Sequence, residues 1–179
     1  MDALAEVGKD LEIGRNSTEP QTVSMPSLST VGGTLDLHRQ TLPTLSGLSA
    51  LGEVGAINLL TVGSLETLEG LEGLSMVPGD VTIDNVVDLA ALSGLDNLTE
   101  VGGSLTLDAN SALDDISALS GLTSLGGDLS AVGNTSLCRE DLEALEAGLE
   151  GYKGTSSFRD SVDCSGGADT GAGADTGAP

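Results

Sequence analysis

The chain has 179 residues, with 28 acidic side chains against six basic ones and a formal net charge of −22 at pH 7. That balance argues against nucleic acid or an anionic membrane surface as a partner, because both are polyanions. No apolar run approaches the roughly 20 residues of a spanning helix without charged or glycine-rich breaks, so no membrane insertion is expected of this segment.

In chain order, Leu4-Ala5-Glu6-Val7-Gly8 matches Leu98-Thr99-Glu100-Val101-Gly102. The chain is therefore expected to begin in mid-coil, with upstream coils and a leader ahead of it. Its opening residues show neither a basic n-region nor an apolar h-region. Short alternating segments follow, whose first apolar residues are Leu11, Leu35, Ile57, Val81, Leu105 and Leu129, at intervals of 24, 22, 24, 24 and 24. Between them lie blocks with an apolar residue at every third position: Leu42 to Val54, Leu65 to Val77, Leu89 to Val101 and Leu113 to Leu125. A fixed period of this size marks a solenoid.

A spacing of three fits neither an amphipathic helix (3.6) nor a pleated strand (2). It fits a chain that turns steadily and sends every third side chain to one interior. Each repeat is thus expected to hold one strand and a curved return path, and stacked repeats bury the leucines together. Glycine-containing corners such as Val31-Gly32-Gly33 and Val101-Gly102-Gly103 precede the strands.

Arg139 to Leu149 reads as a short helix, acidic in its first turn and with Leu142, Leu145 and Leu149 on one face. It is expected to cap the open end of the stack, with a last extended segment in Thr155–Cys164. The domain is therefore assigned to 1–164, the cap to 139–164, and 165–179 to a disordered Gly/Ala/Asp/Thr linker.

Cys138 and Cys164 bracket the cap and are expected to form a disulfide, which implies an oxidising, extracytoplasmic compartment. The sole histidine, His38, lies far from both in sequence, so no zinc site is expected.

Leu92-Ser93-Gly94-Leu95, Leu98-Thr99-Glu100-Val101-Gly102-Gly103-Ser104-Leu105-Thr106-Leu107 and Asn134-Thr135-Ser136-Leu137-Cys138 together resemble the receptor L-domain family. That family has a leucine-rich-repeat-like β-helix, found in receptor ectodomains and in bacterial surface proteins. The resemblance runs from about Leu4 to Cys164. It implies a mainly β, right-handed parallel solenoid with a C-terminal capping helix, and secreted, non-catalytic binding.

On the solvent side of the main sheet, equivalent residues stack about 4.8 Å apart. Glu12 is then expected beside Asp36, and Asp84 beside Asp108. Such pairs repel modestly and suit a solvated face or a weakly held Ca²⁺. Arg15 and Arg39 share one repeat position, beside the irregular segments 16–20 and 38–43, and complete the candidate binding face; as bland surface arginines they would pair with neighbouring acids.

Catalytic signatures are weak. Asp169-Thr170-Gly171 and Asp175-Thr176-Gly177 spell the aspartic-protease triplet, but that chemistry needs two carboxylates held rigidly at one site. No Gly-x-Ser-x-Gly elbow surrounds a serine. Asn16, Asn97 and Asn134 begin N-glycosylation sequons. The expectation is a non-enzymatic binding or adhesion module with no cofactor or metal, at the cell surface or secreted, taking a protein or glycan ligand. The alternatives are a structural spacer or a polysaccharide-active β-helix enzyme.

Overall fold

The three-residue spacing of the leucines is realised as a run of tight backbone turns. Leu48 N–H donates to Leu45 O and Leu51 N–H to Leu48 O, each at 2.8 Å. Leu71 and Leu74 repeat this onto Leu68 and Leu71, Leu95 and Leu98 onto Leu92 and Leu95, and Leu119 and Leu122 onto Ile116 and Leu119. An i→i−3 bond brings the chain round in three residues, so the side chains eclipse on one side. Only Ser46–Leu48 and Ser117–Gly121 close into recognisable 3₁₀ turns. The leucines of all four blocks are buried.

The computed structural model describes residues 4–14 and 19–164. The proposed linker at 165–179, its two Asp-Thr-Gly triplets, Arg15 and Asn16 lie outside the described residues. The described chain is mainly β, with parallel sheets and one helix near the C-terminus. Its strands are β1 (Glu6–Val7), β2 (Leu11–Gly14), β3 (Thr30–Thr41), β4 (Glu53–Gly63), β5 (Met76–Val77), β6 (Val81–Asp84), β7 (Glu100–Val101), β8 (Leu105–Asp108), β9 (Ser124–Leu125), β10 (Leu129–Ser130) and β11 (Ser156–Ser157). The helix α1 spans Arg139–Gly148.

An eight-stranded parallel sheet runs β1-β3-β4-β6-β8-β10-β11, with β2 also paired to β3; β5-β7-β9 form a second parallel sheet. In the first, Leu11 pairs with Leu35, Leu35 with Ile57, Ile57 with Val81, Val81 with Leu105 and Leu105 with Leu129. The six residues expected to share a register therefore do. Five of them are buried, and Leu11, on the edge strand, is half-buried.

Strands β3 and β4 are far longer than the three-residue segments read from the sequence. They run through the glycine corner, with a register shift between Val31 and Thr34. Four residues after the shared register position the chain turns through the left-handed region, within β3 and β4 and just past the shorter strands: Arg39 (φ 51°), Thr61 (56°), Asn85 (55°), Ala109 (55°), Gly133 (77°) and Asp160 (63°). In the return path, Gly70 (φ 116°) and Gly94 (φ 111°) also need glycine for space. A Cβ there would strike Leu45 O and Leu68 O of the preceding repeat.

At the far end α1 buries Leu142 and packs against the Ser117–Gly121 turn. Cys138 and Cys164 are disulfide-bonded, with Cα atoms 5.5 Å apart. Arg139 N–H donates to Val162 O (2.7 Å) and Val162 N–H to Leu137 O (2.8 Å), so the last segment is stitched beside the start of α1. Among the described residues, no helix is long and apolar enough to cross a membrane.

Candidate functional site: the outward face of the long sheet

Period-2 alternation puts one set of side chains into the core and sets the other outward in three columns. Asp10, Thr34, Ala56, Asp80, Ser104 and Asp128 stand at the strand entrance. Glu12, Asp36, Asn58, Thr82, Thr106 and Ser130 stand mid-strand. Gly14, His38, Leu60, Asp84, Asp108 and Val132 stand at the exit.

The entrance column is structural. Asp10 Oδ1 accepts Thr34 N–H (2.7 Å), Asp80 Oδ1 accepts Ser104 N–H (2.8 Å), and Ser104 Oγ accepts Asp128 N–H (3.0 Å). Asp128 Oδ1 accepts both the N–H and the Oγ1–H of Thr155 (2.8 and 2.9 Å). Those two bonds, the backbone one first, hold the Asp128 carboxyl below the usual carboxylate range. Each such side chain satisfies the backbone donor of the following repeat.

The structure brings both expected acidic pairs together. Glu12 is in register with Asp36, and Asp84 with Asp108. They differ in their bonding. Asp108 Oδ1 accepts Ser130 Oγ–H (2.8 Å) and Val132 N–H (2.9 Å), so that carboxylate ties two repeats together. Glu12 and Asp36 flank His38: Nδ1 is 3.0 Å from Asp36 Oδ1, and Nε2 is 3.6 Å from Glu12 Oε1. The imidazole lies over Gly14, where a Cβ would collide with the ring. Asp10, Glu12, Thr34, Asp36, Asn58 and Thr82 line one shallow depression on this face. Arg39 is exposed at the left-handed corner next to His38.

Other groups resolve into structural roles. Cys138, Glu140 and Cys164 come within 4.8 Å of one another, but the sulfurs are bonded to each other and Glu140 Oε2 accepts Cys164 N–H (3.1 Å). Asp115 Oδ1 accepts Ser117 N–H (2.8 Å) at the start of the 3₁₀ turn. Bonds from the Ser117 side chain and backbone keep its carboxyl below the usual range. Of the sequon asparagines, Asn97 is exposed and donates to Glu72 O (2.8 Å). Asn134 is fully buried, its Oδ1 accepting from Asn110 N–H and its Nδ2 donating to Leu107 O, which leaves no room for a glycan.

Buried amides are the feature that sequence reasoning missed. Gln40, Asn110 and Asn134 sit among core leucines. Their side chains donate to Ile13 O, Ile83 O and Leu107 O, each one repeat back. The available signal was an amide at a position held by Val62 and Val86 in the neighbouring repeats. Comparison with protein-family models, with curated proteins and with solved structures finds no match to the chain.

Proposed function

We propose that this chain is a right-handed parallel β-solenoid of the receptor L-domain kind, acting as a non-enzymatic binding or adhesion module of a secreted or cell-surface protein. The observation that carries this is the shared register of Leu11, Leu35, Ile57, Val81, Leu105 and Leu129, which sets the outward side chains of successive repeats side by side on one broad face. A flat, polar face of that kind suits an extended protein or glycan ligand. The Cys138–Cys164 disulfide supports an oxidising compartment. A resident catalytic cofactor forms no part of this reading.

A spacer is the second reading. Asp10, Asp80, Asp108 and Asp128 spend carboxylate oxygens on holding repeats together, as a purely structural rod would require. The two are separated by probing glycan and extracellular-protein arrays with labelled chain. A binding module yields hits that Thr82→Lys and Thr106→Lys abolish and Ser49→Lys, off the face, leaves intact. Hits indifferent to the face, or none, favour the spacer. Turnover of an acidic polysaccharide would overturn both.

A further inference from the structure

The geometry points to a site for one borderline divalent metal ion, of the zinc class, held between His38 Nε2 and Glu12, with Asp36 orienting the imidazole. A carboxylate only accepts hydrogen bonds, so the 3.0 Å contact to Asp36 Oδ1 puts a hydrogen on Nδ1. In the neutral ring Nε2 then carries a lone pair, and it faces Glu12 Oε1, itself an electron-pair donor, 3.6 Å away. That separation is too long for a hydrogen bond. Nitrogen and oxygen ligands at about 2.0–2.2 Å around a tetrahedral zinc stand about 3.4 Å apart, close to what the side chains already show.

The surroundings fit this use. Hydrogen-bonding the far ring nitrogen to a carboxylate fixes the tautomer and raises ligand basicity, as is usual around metal-bound histidines. Gly14 leaves room for the imidazole to reach from β3 across to β2. Glu12 keeps 69% of its side chain accessible, against 26% for His38 and 28% for Asp36, so the ion enters from the Glu12 side. Asp10, in the same depression, adds negative potential. With two protein ligands the site is open, its remaining positions filled by water or by a donor from a bound partner. Mixed imidazole and carboxylate donors select zinc-like ions over calcium, which prefers oxygen alone. The sequence reading gave the Glu12 and Asp36 pair at most a weakly held Ca²⁺, because it did not anticipate that His38 would bridge the two.

The test uses tag-free, chelator-stripped full chain at pH 7.5, titrated with zinc chloride. Calorimetry and the ¹⁵N resonances of the single histidine are followed together. One equivalent of zinc should bind and move the Nε2 resonance, while calcium leaves it unmoved. His38→Gln and Glu12→Gln should each weaken binding at least tenfold, and Asp36→Asn by about 10–100-fold. Gly14→Ala, which displaces the ring, should weaken it as well. Far-UV circular dichroism confirms that the variants keep the parent fold. An Nε2 resonance unmoved at excess zinc overturns the site, as does a Glu12→Gln protein that binds zinc as tightly as the parent.

Discussion

Asn134 Oδ1 accepts the backbone N–H of Asn110 at 2.9 Å, and Asn110 Oδ1 in turn accepts that of Val86 at 2.9 Å. Each amide also donates to a strand-end carbonyl of the preceding repeat. Both residues are fully buried, so removing one orphans groups that water cannot reach. Asn110→Leu is expected to cost about 1–3 kcal/mol, since it leaves Val86 N–H unpaired in the core and removes one donor from Ile83 O, which lies in the β6–β8 ladder. Urea denaturation measures this, and a loss under 1 kcal/mol would contradict the ladder.

Most of the parallel arrangement was legible because its cause is periodic. A leucine every third residue dictates i→i−3 turning, and Leu-x-Leu after a glycine corner dictates a strand. What escaped was interaction across repeats by single side chains. Asp80 and Asp84 look alike in the sequence, yet Asp80 accepts a backbone N–H of the next repeat and Asp84 does not. The lengths of β3 and β4 escaped because the glycines at 32, 33 and 55 read as a corner, while the strands resume their pairing beyond them after a register shift.

The left-handed corner stores strain where it is occupied by a β-branched residue. Thr61, at φ 56°, is the one such residue in its column, between Arg39 and Asn85. Strain of this kind costs on the order of 1–3 kcal/mol. Thr61→Asn, which tolerates the conformation and keeps a polar partner for Asn85, should raise stability by about 0.5–1 kcal/mol. A chemical denaturation midpoint unchanged or lowered would show that the corner is relaxed.

The disulfide closes a separation of 26 residues around α1. The chain-entropy relation values such a loop at about 3–4 kcal/mol. The double variant Cys138→Ser, Cys164→Ser should lose that much, and hydrogen exchange should rise first in α1 and β11. Thiol titration of the unfolded, unreduced parent should find no free sulfhydryl.

Asp128 gives the β10–β11 contact an acid sensitivity of defined sign. Its carboxyl is depressed by Thr155 in the folded chain. A depressed carboxylate contributes fully above its unfolded value, and that contribution is lost as pH falls through the folded one. Between pH 7 and 5 the β10–β11 contact should therefore hold, and Thr155 amide protection should fall only below about pH 4. In Asp128→Asn the same amide should be less protected at pH 7 and show no acid step.

Asp84 and Asp108 are register neighbours with opposite expected responses to the same substitution. With a net charge of −22, the folded chain works against its own repulsion. Asp84→Asn removes one of two adjacent like charges and should stabilise by about 0.5 kcal/mol at low salt. That gain should shrink in 1 M NaCl, where the screening length is about 3 Å. Asp108→Asn removes the same repulsion but weakens the bonds from Ser130 and Val132, which a charged acceptor strengthens. It should destabilise by about 1 kcal/mol at either salt. Calcium at matched ionic strength should add nothing to the melting temperature of the parent, because two carboxylates supply fewer oxygens than the six to eight that calcium takes. A calcium-specific gain that both variants abolish would place an ion between these carboxylates instead.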